Sequence, residues 1–141
     1  LHPNVAKHSA GLFAYDGTTI LNATAYPDMQ ELLCTVDMLI TDYSSCMFDF
    51  ALSGKPCLQF ATDIESYRQD RNFYFPLDRL PFPLASSNQA LCEAVRFLDL
   101  QEYAKKWADF ARENQFCEDG HASARCADWI LARLGRKEKT S

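Results

Sequence analysis

The chain has 141 residues and 48% apolar content, enough to bury one core, and it is read as a single domain. A net charge of −5 at pH 7 excludes a general nucleic-acid or anionic-membrane binder, because such partners demand clustered Lys and Arg. No apolar run approaches the ~20 residues of a membrane span, and the opening residues lack the layout of a signal peptide.

The chain opens on Leu1-His2-Pro3 without an initiator Met, which reads as an element already in progress and predicts a domain excised from a longer protein. Ile20–Ala23 is predicted as a short strand. Pro27 opens a helix through Cys34, with Pro in the first turn where its missing N–H costs nothing. Met38–Thr41 is the next strand and Ser45–Leu52 the next helix. Ser53-Gly54-Lys55-Pro56 stops that helix, Gly as C-cap and Pro as a breaker. Cys57–Phe60 is a further strand. This order at short spacing predicts parallel strands, right-handed crossovers and helices on both faces, an α/β Rossmann-like fold.

Thr62–Pro83, rich in aromatics and Pro, reads as a long surface segment. The last third is helical. Ser86 and Gln89 suggest a capping box ahead of Ala90–Leu98. A second helix from Glu102 to Phe116 puts Tyr103, Trp107 and Phe110 on one core-facing side. A third from Ala122 to Leu134 carries Cys126, Trp129, Ile130 and Arg133 at helical spacing, its aromatic Trp129 read as core-facing. The basic stretch from Arg133 to Lys139 includes Glu138 and has little to pack with, so residues 136–141 are read as a disordered tail after a domain of 1–135. The six cysteines form no C-x-x-C pair and sit in apolar surroundings. They read as buried thiols, which favours a reducing, cytoplasmic setting.

The segment Leu39–Phe50 carries the clearest chemistry. An apolar strand meets Thr41, Asp42, Ser44 and Ser45 and then an amphipathic helix. A helix starting at Ser44 or Ser45 would aim unpaired N–H groups, two hydroxyls and the positive end of its dipole at one point beyond the strand, where a phosphate fits. Purely local capping accounts for the same residues, and both readings stand at this point. In open parallel sheets, ligands collect beyond the carboxyl ends of the strands, which is where this junction lies.

Five blocks occur together in order: Ile40-Thr41-Asp42-Tyr43-Ser44-Ser45, Phe48-Asp49-Phe50, Lys55-Pro56, Tyr67 and Arg71 ahead of Phe73-Tyr74-Phe75, and Asp119-Gly120-His121-Ala122-Ser123-Ala124-Arg125. This arrangement resembles the CDP-glycerol glycerophosphotransferase family of teichoic acid and capsule synthesis. His2-Pro3 resembles the end of the family's K-x-H-P block. The resemblance covers nearly the whole chain but corresponds to the C-terminal, donor-binding half of a two-domain GT-B enzyme.

The resemblance implies transfer of glycerol phosphate, or a related polyol phosphate, from a CDP-linked donor to an acceptor hydroxyl, with release of CMP. It implies no cofactor and no metal. His2 is the implied base or phosphate partner. Ser44 and Ser45 are assigned to the diphosphate. Thr41 belongs to the same donor-binding block, Asp42 would fix the turn or a sugar hydroxyl, and Asp49 would accept from ribose or glycerol hydroxyls. Arg71 suits paired hydrogen bonds to phosphate, and Asp119, Gly120, Ser123 and Arg125 form a second helix start that joins the donor site. A polymer or lipid-linked acceptor would be held by the missing N-terminal half. The resemblance also implies peripheral attachment of the full-length protein to the inner face of the cell membrane.

Two departures bear on the donated group: Arg71-Asn72-Phe73-Tyr74 replaces R-G-F-Y, and Pro81-Phe82-Pro83 replaces P-G-P. A nucleotide-sugar glycosyltransferase of the same architecture and a non-catalytic nucleotide-binding module are the alternative readings.

Overall fold

The computed structural model describes residues 14–70 and 75–137. His2 and Arg71 lie outside them. The chain forms two compact units, divided between Asp37 and Met38.

In the first unit, the Asp16 carboxylate accepts the backbone N–H groups of Thr18, Thr19 and Ile20 at 2.9, 2.6 and 2.7 Å. These bonds hold the carboxyl down at about pKa 2, the Ile20 N–H contributing most. The turn overrides the predicted strand at Ile20–Ala23, because its first residue is already committed to Asp16 and the segment takes no strand geometry. Helix α1 spans Met29–Thr35 and starts later than predicted. The Asp28 side chain accepts from Gln30 N and Glu31 N, so the cap falls on Asp28 and Pro27 lies outside the first turn.

The second unit holds a three-stranded parallel sheet: β1 (Leu39–Thr41), β2 (Cys57–Phe60) and β3 (Leu84–Ala85), in the order β1-β2-β3. Leu39 pairs with Cys57 and Thr41 with Gln59; Gln59 in turn pairs with Leu84. Between β1 and β2 runs α2 (Cys46–Ala51), ended through Leu52 with Gly54 at φ +76°. Between β2 and β3 run α3 (Ile64–Asp70) and a single 3-10 turn at Leu77–Arg79. The stretch read as irregular from Thr62 to Pro83 is therefore partly helical. Strand β3 went unread because two residues carry no period.

Central strand β2 is buried on both sides, with Cys57, Leu58 and Gln59 fully enclosed, as the near-continuous apolar run of an inner parallel strand requires. Gln59 Nε2 donates to the Phe82 carbonyl at 3.2 Å, while its Oε1 has no partner among the described residues. Met47, Phe50 and Ala51 of α2 join Ala61, Leu77, Phe82 and Ala85 in the core. Phe48 sits among Phe75, Phe82, Phe110 and Phe116, its ring centroid 5.7–6.3 Å from each of theirs, a spacing at which aromatic pairs attract beyond simple burial.

Three helices close the chain: α4 (Asn88–Arg96), α5 (Leu100–Glu113) and α6 (Ala122–Lys137). The α4 cap is Ser87, not Ser86, and Gln89 bonds Glu93 one turn on, so the predicted capping box does not form. Asp99 caps α5 by accepting from Gln101 N and Glu102 N. Tyr103 and Phe110 of α5 are buried and Trp107 half-buried, as their spacing predicts.

The corresponding expectation fails for α6. Cys126, Trp129 and Ile130 are exposed, and the Arg133 guanidinium lies 3.2 Å from the Trp129 ring centroid. Helical spacing marks an apolar face but does not supply the surface that covers it. The cysteine expectation also needs correction: Cys57 is buried and Cys46 half-buried, but Cys34, Cys92, Cys117 and Cys126 are exposed. An apolar neighbourhood in sequence did not become burial, because three of these four lie on the solvent sides of helices and Cys117 in a loop.

Candidate functional site at the strand ends

β1 ends at Thr41, and its carboxyl end delivers Asp42, Tyr43, Ser44 and Ser45 into the start of α2. Asp42, Ser44 and Ser45 are exposed and Tyr43 is half-buried. Thr41 turns inward, its Oγ1 3.9 Å from Cys46 Sγ. Asp49 is exposed in the first turn of α2. One strand–helix junction thus gathers Thr41, Asp42, Ser44, Ser45 and Asp49.

The geometry of this junction bears directly on the local-capping alternative. Ser45 occupies the N-cap with helical angles, φ −63° and ψ −13°, and its side chain makes no capping bond. Ser44 Oγ accepts from Cys46 N at a long 3.4 Å. The N–H groups of Met47 and Phe48 instead reach the carbonyls of Ser44 and Ser45 at 3.3 and 3.0 Å. This tight first turn uses backbone donors that the sequence left open for an anion. What remains displayed is the pair of serine hydroxyls.

The neighbouring loop, leaving β2, supplies Thr62 and Asp63. Tyr43 Oη donates to Asp63 Oδ1 at 2.8 Å, and the Tyr43 and Tyr67 rings stack with centroids 3.9 Å apart and planes at 27°. Burial, followed by the Asp63 carboxylate, raises the Tyr43 pKa above its ordinary value and keeps the phenol a donor. A cavity of about 470 Å³ opens beside this loop, lined by Ala61, Thr62, Asp63, Ile64, Glu65, Ser66 and Ser86. It lies where β2 and β3 end. Another hollow, about 510 Å³ between Leu77–Leu84 and α5, lies where β3 begins, the wrong end of a parallel sheet for a ligand. Asp63 was missed in the sequence; its place three residues after an apolar strand was the available signal.

Asp119, Gly120, Ser123 and Arg125 form a second group. Asp119 Oδ1 accepts from His121 N at 2.9 Å and from Arg125 Nη1 at 2.5 Å, while Arg125 Nη2 donates to the Cys117 carbonyl at 2.6 Å. Gly120 takes φ +78°, which favours glycine. Arg125 therefore spends its planar fork on closing the turn before α6. The same bond holds the Asp119 carboxyl below its usual range. Ser123 is exposed in the first turn of α6.

Among the described residues no group of three or more His, Cys, Asp or Glu is placed to hold a metal. Among the same residues no helix is long and apolar enough to cross a membrane.

A family model described as CDP-Glycerol:Poly(glycerophosphate) glycerophosphotransferase matches residues 1–132. The chain is 36% identical over 123 residues to a teichoic acid poly(glycerol phosphate) polymerase of Bacillus subtilis, covering 84% of this chain and 16% of that protein. It is 30% identical to a teichoic acid ribitol-phosphate primase of Bacillus spizizenii, covering 95% of this chain and 34% of the primase. The solved structure of the wall teichoic acid polymerase TagF superposes with a TM-score of 0.66 at 31% identity, over 92% of this chain and 32% of that one. A variant of the same polymerase soaked with CDPG superposes with a TM-score of 0.69 at 30% identity, over 94% of this chain and 33% of that one. The chain thus spans between about a sixth and a third of the relatives it matches.

Proposed function

Because this chain belongs to the CDP-glycerol:poly(glycerophosphate) glycerophosphotransferase family, we propose that residues 1–135 form the donor-binding domain of an enzyme that moves a polyol phosphate from a CDP-linked donor to an acceptor hydroxyl during cell-wall polymer synthesis. The observation that carries the reading is the exposed, uncapped Ser45 hydroxyl beside Ser44 at the carboxyl end of β1. Two hydroxyl donors at the end of a parallel strand suit the oxygens of a diphosphate.

In the proposed reaction the acceptor oxygen attacks the phosphorus that bears the polyol. A new P–O bond forms, the diphosphate bridge breaks, and CMP leaves with the bridging oxygen. His2 takes the proton of the attacking hydroxyl, since an imidazole exchanges protons near neutral pH. Ser44 and Ser45 hold the diphosphate against the developing charge. Thr41 and Asp42 set the turn, and Asp49 accepts from ribose or polyol hydroxyls. Arg71 adds a phosphate contact. Asp119, Gly120, Ser123 and Arg125 contribute a second helix start, in which Arg125 shapes the turn through Asp119.

The acceptor, a polymer or lipid-linked hydroxyl, is assigned to parts of the enzyme beyond this chain. The site of action is assigned to the cytoplasmic face of the cell membrane. The test is incubation of the full-length enzyme with labelled CDP-glycerol and an acceptor polymer. Release of CMP with label on the acceptor is expected. Transfer of sugar from a nucleoside diphosphate sugar instead would replace this reading with glycosyl transfer.

A further inference from the structure

We propose that Asp63 is a positioning residue for the donor loop: by accepting the Tyr43 hydroxyl, it ties the loop that presents Ser44 and Ser45 to the loop that follows β2. The inference rests on the donor-site reading given above and deepens it.

The backbone ladder between β1 and β2 ends at the pair Thr41 and Gln59. Beyond it no backbone pairing between β1 and β2 ties the two loops. Tyr43, two residues past the ladder, bonds Asp63, four residues past it on the other strand, at 2.8 Å. Tyr67, one turn into α3, stacks on the Tyr43 ring at 3.9 Å and so restricts its rotation. Ring stacking sets where the phenol lies, and the carboxylate sets where its hydroxyl points. Ser44 follows Tyr43 directly, so a displaced Tyr43 moves the first of the two hydroxyls as well.

A diphosphate is held by several short, directional bonds, and a loop that wanders by an ångström loses them. Direct contact between Asp63 and the diphosphate is the competing role. Like charge opposes it, since a carboxylate and a phosphate repel unless a cation lies between them. Its bond to Tyr43 engages Asp63 in the protein instead.

The test is steady-state kinetics of the full-length enzyme with CDP-glycerol, alongside thermal melting. Tyr43→Phe keeps both rings and removes the hydroxyl; Asp63→Ala removes the acceptor; Asp63→Asn retains an acceptor oxygen without the charge. Tyr43→Phe and Asp63→Ala are each expected to raise the donor KM about tenfold with kcat within about twofold. The double variant should be no worse than the worse single variant, and Asp63→Asn should restore most of the donor affinity. Unchanged donor KM in the single variants overturns the proposal, including the case where only the melting temperature falls. Additive effects without rescue by Asn also overturn it, because Asp63 would then act on the ligand. Failure of the wild type to saturate with any CDP-linked polyol refutes the donor-site reading itself. Saturation by the wild type with unaltered variants refutes only the positioning role.

Discussion

The Tyr103 hydroxyl of α5 completes the sheet edge, lying 3.0 Å from the backbone nitrogen of Cys57 and accepting its N–H. The two residues stand 46 positions apart. β3 pairs only with Gln59 and Phe60, so it does not reach the start of β2. The phenol takes the place of a strand there, and it also donates to the Lys55 carbonyl at 3.4 Å. Burial pushes the Tyr103 phenol and the Cys57 thiol each up to about 12. A helix side chain thereby anchors the strand whose other end opens onto the loops that carry Tyr43 and Asp63.

Tyr103→Phe should leave the buried Cys57 N–H unpaired at almost unchanged volume. The expected loss is about 1–3 kcal/mol of unfolding free energy. Urea denaturation should show a lower midpoint at an unchanged slope; an unchanged midpoint would mean that water satisfies the amide.

The thiols should divide by burial. Cys34, Cys92, Cys117 and Cys126 are exposed and Cys57 is enclosed. Under native conditions at pH 8, a maleimide or iodoacetamide should label the four exposed thiols well before Cys57, which reacts on denaturation; peptide mass mapping reads the order. The raised Cys57 and Tyr103 values carry a sign. Protonated in the fold, they stabilise fully below their ordinary pKa values, and that stability drains away as pH climbs toward about 12. Alkaline unfolding should therefore begin below pH 12.

Acid acts through Asp119. Its carboxyl is depressed first by the Arg125 hydrogen bond and then by the His121 N–H. A depressed acid contributes above its ordinary pKa and loses that contribution as pH falls through its folded value. Arg125→Ala should return the Asp119 carboxyl toward the ordinary carboxylate range, read by NMR titration. An unmoved titration would show that the backbone bond alone sets it.

The parallel order of β1 and β2, the intervening helix and its Gly54 stop were legible because apolar runs, Gly and Pro act locally. So were Tyr103, Trp107 and Phe110, whose spacing matches a helix with a real partner surface. Trp129 and Ile130 show the same spacing on α6 and stay exposed. Period alone could not tell the two helices apart. Ile20–Ala23 failed for a related reason: one carboxylate, Asp16, outcompeted a weak strand preference. At the site, Ser44 and Ser45 could be placed from sequence because the strand and helix signals meet there. The Tyr43–Asp63 bond could not, since it depends on two loops brought together by the sheet.

The proposed binding of a CDP-linked donor's diphosphate at the Ser44–Ser45 junction can be read by calorimetric titration of CDP-glycerol into the full-length enzyme and its Ser45→Ala variant. Ser45 makes no capping bond that its loss would disturb. The variant should fold and bind more weakly by about 1–3 kcal/mol, the scale of a hydrogen bond to a charged group. Equal affinity in wild type and variant would contradict it.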